Sequence, residues 1–277
     1  MKIKALLVSL LAASIAVAIF FWNSDGIKIL QKTESDFGSI WVFERNNTRC
    51  MSFLKPSSGI TQTCMSLENP KTPLFLYTQI LLSTLFLRDH PRKILLIGLG
   101  GATIPKALNI LVPQTQLDIV EINPTIQPLV EKYFDFTENA KSKIFIEDGF
   151  EFVKNAPDDE YDLVMLDAFT PDYIPSSFLT DEFVQHVKRI MVKDGIVAIN
   201  TFTSSPHYQL ESELFAKNFD RYYNLVVNNN RIIVASKGDL PDFAQIEATS
   251  NLWRYRFVEI NLSQLALLAL YKRSQIE

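Results

Sequence analysis

Hydrophobic positions in this chain fall into three zones. The first is a nearly unbroken apolar run of 18 residues, Ala5 to Trp22, preceded by Lys2 and Lys4. The second, residues 36 to 68, reads as strands: Ser39-Ile-Trp-Val-Phe-Glu44, then Thr48 to Leu54 and Ile60 to Ser66 around the turn Lys55-Pro-Ser-Ser-Gly59. In the third, short apolar runs alternate with longer amphipathic stretches. Strands are expected at Ile94–Ile97, Leu117–Glu121, Lys143–Ile146, Tyr161–Leu166 and Gly195–Asn200. Helices are expected near Pro73–Leu87, from Thr103, at Ile126–Phe134, Gly149–Asn155, Thr180–Val192 and Tyr208–Phe219. Such alternation gives a parallel sheet covered on both faces, and continuous apolar strands are its signature. Asn224 to Ala235 reads as a closing hairpin with asparagines in its turn. Trp253 to Lys272 reads as one amphipathic helix docked on the core.

The first zone is at the short end of what spans a bilayer. Ala16-Val-Ala18 would suit a signal peptidase, but Ile19, Phe20, Phe21 and Trp22 carry the apolar run past it. The expectation is therefore a membrane anchor over residues 5–22, with a cleaved signal or a buried helix as alternatives. Lys2 and Lys4 favour the periplasmic side for the domain, with the cytoplasmic side as the alternative. The expected division is anchor or signal 1–24, a small β-hairpin domain with the first helix 25–88, a Rossmann-like nucleoside-binding domain 89–240 and a helical segment 241–277.

With 277 residues, 47% of them hydrophobic, the chain can bury a full core. A net charge of −4 argues against a nucleic-acid surface. The chain has two cysteines. A hairpin symmetric about Ser57 sets Cys50 opposite Cys64, within disulfide reach; two reduced residues sharing a core face is the alternative. His90, His186 and His207 are scattered without metal-ligand spacing, so no metal is expected.

Candidate chemistry gathers at the strand ends. Gly98, Gly100 and Gly101 follow the first parallel strand and lead into a helix, where backbone can approach a ligand closely. Glu121 ends the second strand 23 positions after Gly98, the spacing at which a carboxylate reaches a ribose diol. Asp148 and Gly149 follow the third strand, and Asp167 ends the fourth. Ligands of doubly wound sheets bind beyond such strand ends. The assignment is Glu121 to ribose hydroxyls, Asp148 to an adenine amino group and Asp167 to the reacting centre.

The ordered set Ile97-Gly-Leu-Gly-Gly101, Val120-Glu-Ile-Asn-Pro124, Glu147-Asp-Gly-Phe150 and Tyr161-Asp-Leu-Val-Met-Leu-Asp-Ala-Phe169 resembles the spermidine synthase (polyamine aminopropyltransferase) family, and its spermidine synthase-like branch in particular. The resemblance spans about residues 36 to 240 and includes Ile60-Thr-Gln-Thr63 and Tyr77. It implies a small β-domain before a methyltransferase-like Rossmann sheet. It also implies transfer of an aminopropyl group from decarboxylated S-adenosylmethionine to a small-molecule amine such as putrescine, in polyamine biosynthesis. On that pattern Gln62 touches the donor, Tyr77 orients the amine and Asp167 takes its proton. Where the family usually carries Asp, this chain has Gly101 and Thr170; Asp172 lies two positions beyond the latter. Those departures leave ordinary S-adenosylmethionine open as donor. Two other functions stay open: a methyltransferase, and a non-catalytic, membrane-tethered nucleoside-binding protein. A homodimer also stays open.

Overall fold

The computed structural model describes residues 26–169 and 174–274. Two sheets organise them. The smaller is an antiparallel meander of β1 (Lys28–Ser35), β2 (Gly38–Arg45), β3 (Thr48–Ser52) and β4 (Thr63–Ser66), paired in chain order. The symmetric register holds: Cys50 pairs directly with Cys64, and the two form a disulfide with Cα atoms 4.0 Å apart. The turn between them contains a short 3₁₀ segment at Pro56–Ser58, ended by Gly59 at φ 78°.

Helix α1 (Leu76–Ser83) continues into a 3₁₀ turn at Thr84–Phe86 and leads to the second sheet. Its parallel strands are β5 (Lys93–Ile97), β6 (Gln116–Glu121), β7 (Ser142–Ile146), β8 (Tyr161–Leu166) and β9 (Met191–Phe202). The hairpin of β10 (Tyr222–Val227) and β11 (Asn230–Ser236) completes it, turning at Asn228 with φ 53°. The strand order is β10-β11-β9-β8-β5-β6-β7, with β11 antiparallel to both neighbours. Chain direction across the sheet reverses between β5 and β8, which is where doubly wound sheets open a ligand crevice.

Side chains alternate along β5. Ile94 and Leu96 enter one core, and Leu95 and Ile97 enter the other. Both faces are covered, so no polar position survives in the strand interior. The first core is closed by α1, α2 (Thr103–Leu111), α3 (Ile126–Tyr133), α7 (Phe243–Glu259) and α8 (Gln264–Arg273). The small sheet joins it through Ile40, Val42, Met51 and Met65. The second core lies under α4 (Gly149–Asn155), α5 (Asp181–Ile190) and α6 (Tyr208–Asn218). Asp162 locks the start of the parallel strands, accepting from Arg88 at 2.6 Å and from the backbone of Arg92 and Lys93.

Three expectations change. The membrane-anchored fold and location are corrected. Among the described residues no helix is long and apolar enough to cross a membrane. The longest, α7, has 17 residues, about 25 Å at 1.5 Å per residue, and carries Glu247, Arg254 and Arg256. The anchor expected at residues 5–22 lies outside the described residues. The single C-terminal helix is in fact two, because the chain turns at Asn261 in the left-handed region (φ 58°) and Ser263 caps a new helix. Strand β1 was not anticipated. It is a half-exposed edge strand whose pattern gives no clear alternation.

Candidate active site

The glycine turn is shaped by two contacts. Gly98 has φ +101°, and a β-carbon there would collide with the Asp167 carbonyl oxygen. Its N–H donates to the Val120 carbonyl at 2.8 Å, and Asp167 N–H donates to the Ile97 carbonyl at 2.9 Å. Gly100 also has positive φ, +51°. At Gly101 the constraint is different. A β-carbon would lie 2.7 Å from Thr63 Oγ1, and the Thr63 methyl would have to move. Thr63 is buried and β-branched, so it yields little. Its side chain fills the space that an aspartate at 101 would need.

Glu121 is fastened to that turn. Its Oε2 accepts from Leu99 N–H at 3.0 Å and its Oε1 from Asn123 N–H at 2.9 Å. Burial raises its carboxyl above the ordinary range, against the pull of these backbone donors. Asp148 is exposed and caps α4, with Oδ1 accepting from Phe150 N–H at 2.7 Å and Glu151 N–H at 3.3 Å. Oδ2 takes neither bond. Gly149 allows α4 to approach β5, since a β-carbon there would sit 2.7 Å from an Ile97 methyl. Backbone pairing ties this corner to its neighbour, as Glu147 N–H donates to the Glu121 carbonyl.

Asp167 sits on the opposite side of the Gly98 turn. Burial pushes its carboxyl up to about 6, while hydrogen bonds from Asn200 and Tyr77 pull it down. Asn200 Nδ2 donates to Asp167 Oδ1 at 3.0 Å. Burial also holds the Tyr77 phenol well above its ordinary value, helped by the Asp167 charge and the hydrogen bond between them. Tyr77 Oη also lies 3.4 Å from the Gln62 carbonyl oxygen, an alternative acceptor for its one hydroxyl proton. The Gln62 side-chain oxygen accepts from Phe53 N–H at 3.0 Å, so part of this residue serves the β3–β4 turn. Asp172 and Thr170 lie outside the described residues.

The anticipated residues thus form one continuous chain of contacts: Gln62 to Tyr77, Tyr77 to Asp167, Asp167 to Gly98, and the turn to Glu121. Asp148 and Gly149 flank it at the end of β7. Thr63 and Asn200 were missed. Asn200 ends an expected strand like any polar residue, and only the β8–β9 register sets it across from Asp167.

The spermine/spermidine synthase domain model matches residues 74–235 of this chain. A polyamine aminopropyltransferase of Vibrio vulnificus is 34% identical over 221 residues, 77% of this chain and 74% of that protein. The chain belongs to the spermine/spermidine synthase family. The fold agrees. A probable spermidine synthase of Corynebacterium glutamicum superposes with a TM-score of 0.69 over 88% of this chain and 94% of that one, at 16% identity. Spermidine synthase of Thermotoga maritima gives 0.65 over 88% and 84%, at 20% identity. The family domain covers the glycine turn, all three strand-end carboxylates and Tyr77, and stops short of Gln62 and Thr63 on the small sheet.

Proposed function

We infer that this protein is a polyamine aminopropyltransferase, moving an aminopropyl group from decarboxylated S-adenosylmethionine to an amine such as putrescine. The observation that carries the reading is the position of Asp167. It is a desolvated carboxylate joined to Tyr77 and Asn200, one backbone contact from a glycine turn, at the point where the sheet reverses direction.

The sulfonium donor carries its own leaving group, so the protein's task is to place an unprotonated amine in line. The amine nitrogen bonds to the aminopropyl carbon as the carbon–sulfur bond breaks, and methylthioadenosine leaves. Asp167 accepts the proton that the amine gives up, and a carboxyl near 6 suits a base working at neutral pH. Tyr77 orients the amine beside it. Glu121 takes the ribose hydroxyls, its carboxylate aimed by the backbone N–H groups of Leu99 and Asn123. Asp148 offers Oδ2 to the adenine amino group. Gly98, Gly100 and Gly101 let the backbone pass close to the donor, and Gln62 closes the wall from the small sheet. We further assign the small β-sheet with α1 and the Rossmann-like unit to separate domains meeting at this site.

With Thr63 where an acid would stand, the donor's amine end meets hydroxyls rather than a carboxylate. Decarboxylated S-adenosylmethionine remains the favoured donor on family membership. Titration calorimetry of the full chain with methylthioadenosine and with both donors, followed by mass spectrometry of products with putrescine, tests the reading. Spermidine formed from the decarboxylated donor supports it. Methyl transfer from S-adenosylmethionine with no aminopropyl product would replace it.

A further inference from the structure

Leu166 pairs with Ile199, so Asn200 is the next rung across from Asp167. Asn200 is only 2% exposed. Its amide is used at both ends: Nδ2 donates to Asp167 Oδ1 at 3.0 Å, and Oδ1 accepts from Asn230 Nδ2 at 3.3 Å. Asn230 opens β11, where it pairs with Phe202. The two asparagines are therefore diagonal neighbours on one face of the sheet.

We propose that Asn200 is a positioning residue for the transfer step, and that Asn230 supports the orientation in which the Asn200 NH₂ faces Asp167. This rests on the aminopropyltransferase reading above. A carboxamide fits the same space in two flips, and the two have opposite effects on an acid beside it. An amide oxygen facing Asp167 would stabilise the protonated acid, which cannot take a proton from an amine. An amide NH₂ facing it stabilises the carboxylate, which can. In that second arrangement the Asn200 oxygen also meets a donor in Asn230, so both ends of the amide are satisfied. The bond from Asn200 occupies Asp167 Oδ1 and, together with the Tyr77 hydrogen bond, fixes the rotation of the carboxylate. Among the described residues, the groups that bear on this carboxyl are Tyr77 from α1 and Asn200 from β9, and only Tyr77 titrates.

The test compares the pH dependence of kcat in the full-length wild type, Asn200→Ala and Asn230→Ala. Calorimetry with methylthioadenosine and thermal melts serve as controls. Loss of the donor should raise the Asp167 pKa. The acid limb of the Asn200→Ala profile should then move up by about one pH unit. Its kcat should fall about twofold at pH 7 and about tenfold at pH 5, with the deficit gone by pH 9 and nucleoside affinity unchanged. Asn230→Ala should shift the limb the same way by less. A lower kcat with an unmoved limb in both variants would make the pair structural and overturn the proposal. If Asn200→Ala fails to fold, Asn230→Ala alone decides on the same criterion. Absence of aminopropyl product from the wild type would instead sink the underlying reading, and this inference with it.

Discussion

Gly98 and Asp167 meet backbone to backbone: a β-carbon on Gly98 would lie 2.8 Å from the Asp167 carbonyl carbon and closer still to its oxygen. The glycine turn and the strand end that carries Asp167 are one packed unit. Gly98→Ala must therefore displace β8 as well as strain the turn at φ +101°. The expected loss is about 1–3 kcal/mol of stability, read by denaturant unfolding, together with a fall in kcat larger than the change in nucleoside affinity.

The Asp167 carboxyl is raised from 3.8 to about 6 by burial. The folded chain thus holds this proton more tightly than the unfolded chain does. The group's contribution is most favourable below pH 4 and is lost as pH climbs to about 6. Asp167→Asn should accordingly lose transfer and keep nucleoside binding. Relative to wild type it should gain roughly 2 kcal/mol between pH 4 and pH 7, visible as melting curves that converge at low pH. Unchanged turnover in this variant would remove Asp167 from the mechanism.

Tyr77 helps to keep Asp167 ionised. Tyr77→Phe removes that hydrogen bond and preserves the ring. Its expected signature is an acid limb moved to higher pH in the rate profile, with kcat reduced about tenfold. An unchanged limb would limit Tyr77 to packing.

The Cys50–Cys64 bridge closes a sequence separation of 14 residues next to Thr63. Replacing both by serine should cost about 3 kcal/mol on the chain-entropy account of such a loop. Weaker donor binding should accompany it, since Thr63 packs on Gly101. Reductant should lower the melting temperature of the wild type and leave the double variant unmoved.

Thr63 also makes the family departure testable. Gly101→Asp alone should destabilise, because Thr63 Oγ1 and its methyl occupy the new side chain's path. Adding Thr63→Ala should restore much of the melting temperature. A fully stable Gly101→Asp single variant would show that the wall gives way unaided.

Much of this arrangement was readable before any coordinates. The central parallel strands β5 and β8 announced themselves by apolar runs because both their faces are buried. The hairpin symmetry predicted the cysteine pairing because cross-strand register follows from the turn. What stayed hidden depends on tertiary neighbours. Asp148 shows only its capping bonds, which its place before a helix already implied. Thr63 has no meaning until β4 is laid against the glycine turn. Asn200 ends an expected strand like any polar residue, and only the β8–β9 register brings it to Asp167. The C-terminal break escaped notice because Leu262 carries the apolar pattern straight across it.

Strand β11, carrying Asn230, lies between β9 and β10 although it is last in sequence. During synthesis, the slot beside β9 has to await a segment that emerges some thirty residues later. Asp167 therefore gains its outermost support only when nearly the whole sheet has left the ribosome. Nascent or truncated chains ending before Asn230 would carry every strand-end carboxylate and still lack the hydrogen-bonded chain from Asp167 through Asn200 to Asn230.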